Sequence, residues 1–129
     1  ALPRIWKIKF NENTKISAFW NYFPEINHNE MVGFTNVKFQ IPSSKFQVII
    51  LRDKSDSPRI LKRMRLTALI LKKRGIGVNF INLQGKNKLE KIFNSLILSD
   101  WVSYYLALQY KIDPTPVGLV EEFKKRMRE

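Results

Sequence analysis

Apolar residues mark out an alternation of helices and strands. Ile5, Ile8, Ile16, Phe19 and Phe23 recur near a 3.6-residue period, which predicts an amphipathic helix over residues 3–23, stopped by Pro24. A polar stretch, Glu25-Ile26-Asn27-His28-Asn29-Glu30, leads into Met31–Phe34, read as a further helical turn, and residues 35–45 form a connector containing Pro42, Ser43 and Ser44. Phe46–Leu51 is the first strand, and its continuous run Val48-Ile49-Ile50-Leu51 is the pattern of a strand covered on both faces. After a polar turn at 53–57, Pro58 opens a helix whose apolar face is Ile60, Leu61, Met64, Ala68 and Leu71 and which stops at Gly75. Val78–Ile81 is the second strand, closed by a turn at Gln84-Gly85. Leu89, Ile92, Phe93, Leu96, Trp101, Tyr104, Tyr105 and Leu108 predict a long helix over 87–110, bent near Ser99-Asp100. A last helix over 116–127 follows Asp113-Pro114-Thr115-Pro116, with Thr115 as N-cap and Pro116 at N1.

This order is that of an α/β fold, a three-layer α/β/α arrangement around a small parallel sheet. Two strands make a small sheet for so much helix. Either residues 36–41 add a strand, or residues outside this chain complete the sheet, which is then incomplete here. Residues 1–129 read as one domain without internal repeats.

Three positions break the pattern. Glu12 falls on the first apolar stripe, between Asn11 and Asn13; burial there would raise its pKa toward neutrality, as a carboxylate base requires. The alternative is that Glu12 lies at the stripe's edge and pairs with Lys9 or Lys15. Lys124 shares i, i+3, i+7, i+10 spacing with Val117, Val120 and Met127, so it occupies an aliphatic slot from which it could also snorkel to the surface. His28 stands in a loop between Asn27 and Asn29, which could fix its tautomer.

Composition narrows the chemistry. The chain has no cysteine and a single histidine, so thiolate zinc sites, disulfide scaffolds, cysteine nucleophiles and multi-histidine metal centres are excluded. No apolar run is long enough for a membrane span, the N-terminal residues lack a signal-peptide pattern, and a cytoplasmic, intracellular protein is the default expectation. The net charge of +12 points to an anionic partner. A nucleic-acid face on Arg59, Lys62, Arg63, Arg65, Lys72, Lys73 and Arg74 is not favoured, because no aromatic residues are interleaved for stacking; a solvated outer helix accounts for it.

Two segments carry a resemblance. Trp6-Lys7 followed by Asn11-Glu12-Asn13-Thr14-Lys15, then Pro24-Glu25-Ile26-Asn27-His28-Asn29-Glu30, resembles the signature of the bifunctional phosphoglucose/phosphomannose isomerases of the sugar isomerase (SIS) superfamily. Asp100-Trp101-Val102-Ser103-Tyr104-Tyr105-Leu106-Ala107 and Asp113-Pro114-Thr115-Pro116-Val117 are similar to that family's C-terminal pattern. The resemblance implies aldose–ketose isomerisation of glucose 6-phosphate or mannose 6-phosphate to fructose 6-phosphate through a cis-enediol. It implies Glu12 as the base moving the C1/C2 proton, His28 as the residue assisting ring opening from the neighbouring subunit of a dimer, and Lys124 as a partner in proton movement at the ring oxygen. Asn11 and Thr115 are the expected substrate contacts, and no metal or organic cofactor is required.

Two departures accompany the resemblance. Ile5 stands where the family usually has Arg, with Arg4 one step earlier, and family members are about twice as long, with two SIS domains. Their phosphate-holding Ser/Thr loop and an active-site Arg lie in the first domain, so this chain corresponds to the C-terminal domain, and the resemblance does not imply that it is active alone. The competing readings are a non-catalytic sugar-phosphate-sensing SIS module and a basic nucleic-acid-binding domain.

Overall fold

The computed structural model describes residues 1–36 and 46–128. Five helices, α1 (Leu2–Asn13), α2 (Glu30–Gly33), α3 (Pro58–Lys73), α4 (Lys88–Gln109) and α5 (Gly118–Arg126), and two strands, β1 (Gln47–Arg52) and β2 (Gly77–Asn82), are present among these residues. The fold is α/β with a two-stranded parallel sheet, as expected. The additional strand expected at 36–41 falls mainly outside the described residues; Asn36 itself closes a 3₁₀ turn, Phe34–Asn36. Contacts divide the chain into two compact units, Asn21–Ile92 and Ala1–Trp20 with Phe93–Glu129.

In the unit Asn21–Ile92, β1 pairs with β2 from Gln47 opposite Gly77 to Arg52 opposite Asn82. The core joins Ile50 and Val78 of the strands to Met64, Ala68 and Leu71 of α3 and to Ile76, with Phe23, Phe34, Phe46 and Phe80 packed at its margin. Only Ile50 of the apolar run in β1 is fully buried; Val48, Ile49 and Leu51 are half-buried, short of the two-sided cover expected. Ser57 caps α3, its Oγ accepting from the Ile60 N–H at 3.4 Å, and Pro58 fills N1, where a missing N–H is harmless. At the other end Gly75 sits at φ 79 while the Ile76 N–H donates to Leu71 O and the Gly75 N–H to Lys72 O, a left-handed closure of the last turn. The start of α4 is set by a capping box: Asn87 Oδ1 accepts from the Glu90 N–H at 2.9 Å, and the Glu90 carboxylate accepts from the Asn87 side chain and the Lys86 N–H. Gly85 at φ 150 is needed there, since a Cβ would come within 2.6 Å of the Lys91 backbone nitrogen.

In the other unit α1 lies against α4, and the buried face of α4 is not the aromatic one. Ser95, Ser99, Ser103 and Ala107, spaced by four, are buried, whereas Phe93, Trp101, Tyr104, Tyr105 and Leu108 are exposed. Small side chains let α1 approach closely, and the Trp6 indole N–H donates to Ser95 Oγ at 3.0 Å within that contact. The helix is continuous through Ser99-Asp100; Ser99 and Ser103 donate their hydroxyls to the carbonyls of Leu96 and Asp100 within it. Lys9 Nζ and Asp100 Oδ1 form an ion pair at 2.6 Å.

Two helix boundaries differ from expectation. The helix expected over 3–23 ends at Asn13: Thr14 is the C-cap, its N–H still bonded to Phe10 O, Lys15 takes φ 57, and Phe19 is 82% exposed, so the continued spacing of Ile16, Phe19 and Phe23 is not a helical stripe. The last helix starts at Gly118 with Val117 at the N-cap, not at Thr115-Pro116, because Asp113 Oδ1 captures the Thr115 N–H at 2.9 Å and closes a turn instead.

Candidate functional site

The segment Asn11–Lys15 closes α1, and four of its five side chains hold the fold. Asn11 Nδ2 donates to Ile16 O at 2.7 Å, Asn13 Nδ2 to Ser103 Oγ at 2.8 Å, and the buried Thr14 hydroxyl to Ser103 O at 3.0 Å. Lys15 Nζ donates to the carbonyls of Glu12 at 2.5 Å and Pro114 at 3.0 Å. Glu12 is the exception. Its side chain is exposed, and its carboxylate has no hydrogen-bond or ion-pair partner among the described residues. The expected burial of Glu12 is therefore corrected, since the helix ends one residue later and the stripe does not continue. The alternative pairing with Lys9 or Lys15 is also absent: Lys9 is on Asp100, and Lys15 is on backbone oxygens.

Lys15 brings the loop after α4 to this helix end. Lys111 ends α4 at φ 57, with the Lys111 N–H donating to Leu108 O and the Ile112 N–H to Ala107 O. An open cavity of about 450 Å³ lies between Tyr104 and Leu108 of α4 and the loop residues Lys111 to Thr115. Thr115, an expected substrate contact, lines it and is exposed. Its backbone N–H, then its hydroxyl, and the charge of Lys15 hold the Asp113 carboxyl below its usual value.

Lys124 belongs to a helix with no buried residue. The slot it shares with Val117, Val120 and Met127 is therefore exposed, and its ammonium pairs with Glu121 at 2.8 Å, half open to solvent. Asn11, an expected substrate contact, donates one amide N–H to Ile16 O.

His28 lies in the other unit, at the end of a 3₁₀ turn, Glu25–Asn27. Here too the neighbours are anchored. Asn27 Nδ2 donates to Thr67 Oγ1 at 2.7 Å while its Oδ1 accepts from Arg63 at 3.4 Å, and Asn21 donates to Glu30. Asn27 thus fixes the loop to α3 rather than the tautomer of His28. The imidazole is 86% exposed, its Nδ1 4.0 Å from Glu25 Oε1.

Pattern reading did not give Lys15 or Thr67 the anchoring bonds that they make, to Pro114 and to Asn27. Neither carries a local signal, since each is defined by a partner distant in sequence. Among the described residues no three His, Asp or Glu side chains gather as metal ligands, and no helix is long and apolar enough to cross a membrane.

The chain thus combines an α/β fold with a parallel sheet, an exposed carboxylate on a helix end tied by its neighbours, and a cavity lined by the loop that Lys15 holds to that end. Residues 1–127 match the family described as bacterial phospho-glucose isomerase C-terminal SIS domain, and the chain belongs to that family. It is 38% identical over 96% of its length to a bifunctional phosphoglucose/phosphomannose isomerase of Caldicellulosiruptor bescii, 32% over 95% to one of Aquifex aeolicus, and 34% over 98% to one of Thermoplasma volcanium. The chain spans only 36%, 38% and 39% of the length of these relatives. No solved structure matches it.

Proposed function

We propose that residues 1–129 act as the C-terminal SIS domain of a phosphoglucose/phosphomannose isomerase, with Glu12 as the base that carries the proton between C1 and C2 of the sugar phosphate. The observation that carries this reading is the division of labour in Asn11–Lys15: four side chains bind the fold, and the carboxylate alone is left free. A general base must reach its proton at hydrogen-bond distance in a fixed direction, and a carboxylate on a fixed helix end is suited to that. Thr115, lining the cavity beside the same helix end, is assigned to substrate. His28 and Lys124 are assigned to proton movements at the ring oxygen, His28 acting in the site of a second subunit of a homodimer. The exposure of its imidazole, on a loop whose neighbours are anchored, supports a role toward a group outside its own fold.

The test is subunit mixing in the complete isomerase that carries this domain. Glu12→Gln and His28→Ala should each lower turnover with glucose 6-phosphate by about 10²–10⁴-fold, the range of a lost general acid or base. A mixed dimer has one site with both defects and one with neither, so subunit exchange should restore up to about half the activity per heterodimer, as two-fold symmetry requires. Near-normal turnover in Glu12→Gln would remove the base assignment. Absence of recovery after demonstrated exchange would remove the assignment of His28 to the partner's site.

A further inference from the structure

Lys15 differs from the other anchors of its block in what it holds. Asn11 bonds the turn that follows its own helix, and Asn13 and Thr14 bond α4, whereas Lys15 reaches 99 residues along the chain to the loop that carries Thr115. One ammonium donates to the carbonyl of Glu12 and to that of Pro114, and its charge also acts on Asp113. The backbone beneath it stands at φ 57, a conformation favouring glycine, as Gly75 shows at the corresponding end of α3. At Lys15 this strained backbone coincides with a side chain that bonds two carbonyls.

We infer that Lys15 is a positioning residue of the isomerase site: its ammonium clamps the Asp113–Thr115 loop onto the helix end that presents Glu12. The inference rests on Glu12 being the base. Lys15 touches no reacting atom and moves no proton; it sets where a sugar held at Thr115 stands relative to the carboxylate. Such alignment is costly to lose, since a displacement of about 1 Å can lower a rate by about 10²-fold.

The variant that separates positioning from stability is Lys15→Gly, because it removes the clamp while relieving the left-handed backbone. In the complete isomerase, Lys15→Gly is expected to melt no lower than the parent and to lose about 10–10²-fold in kcat, with KM for glucose 6-phosphate changed less than about threefold. Lys15→Arg keeps the charge and the donors, and should retain kcat within about threefold. A purely structural lysine would give a lower melting temperature in Lys15→Gly at unchanged kcat, and that result overturns the inference, as does a loss confined to KM. Glu12→Gln, assayed alongside, separates the two levels. If it stays active, the assignment of Glu12 as the base fails by itself. If it is inactive while Lys15→Gly keeps full kcat, only the role of Lys15 fails.

Discussion

Asp53 concentrates the polar contacts at the end of β1, and its removal has a calculable consequence. Its carboxylate accepts from Lys91 Nζ at 2.7 and 3.0 Å and from the Ser55 N–H at 2.9 Å, while its backbone N–H donates to Asp56 Oδ2 at 3.0 Å. These bonds, that of Lys91 first, lower its pKa from 3.8 to about 2. At about 1.4 kcal/mol per unit the shift corresponds to at most about 2.5 kcal/mol. A fifth of each side chain is open to water, so screening reduces the expectation to about 1 kcal/mol. Because the folded pKa is depressed, this contribution is complete above the unfolded value near 3.8 and disappears as the pH falls through about 2.

Asp53→Asn keeps the shape and an acceptor for Ser55 but removes the charge. Urea titration at neutral pH should move the midpoint down by about 0.5 M, given a slope of roughly 2 kcal/mol/M for a chain of this size. Near pH 2 the two proteins should differ by less than half as much, and at about 1 M salt the gap at neutral pH should also narrow. Equal stability at neutral pH, or a difference that persists undiminished in acid, would refute the assignment of this stabilisation to the Asp53–Lys91 pair.

Two further changes test how the helices are held. Lys111→Gly relieves a left-handed residue at φ 57 in the closure of α4, and should raise the melting temperature by about 2–4 °C, corresponding to roughly 1 kcal/mol; a lower melting temperature would show that the lysine side chain outweighs the backbone. Ser95→Ala leaves the buried Trp6 indole N–H without its acceptor and should cost about 1–3 kcal/mol in denaturant titrations, whereas Trp6→Phe combined with Ser95→Ala should lose less than the sum of the single changes; strict additivity would mean that the bond at 3.0 Å contributes nothing.

Where the chain's own side chains settle a boundary, the sequence reveals it; where a distant partner settles it, the sequence does not. β1, β2 and α3 are legible because Val48–Leu51, Val78–Ile81 and the face around Met64 and Leu71 each meet an apolar neighbour, with Pro58 and Gly75 as punctuation. The long α4 is legible in extent but not in its buried face. An apolar count assigns Trp101 and Tyr105 to the interior, whereas the face packed on α1 is a serine row chosen for closeness and for the Trp6 N–H. The end of α1 is concealed for the same reason: no glycine or proline marks residue 14, and the stop consists of bonds from Asn13 and Thr14 to Ser103 and from Lys15 to Pro114.

The same distinction applies to Glu12. Its position on an apolar stripe singles it out through an expectation of burial that the fold does not meet, since the residue is exposed. What the structure adds is a contrast between the carboxylate and its neighbours, and it recurs around His28. In both blocks asparagines are tied to remote elements, Asn13 to Ser103 and Asn27 to Thr67, while Glu12 and His28 are exposed. An exposed acid or base on a loose segment has no defined direction; one on a segment fixed by its neighbours has. The spacing Asn-Glu-Asn-Thr-Lys therefore reads as four fixings around one exposed carboxylate.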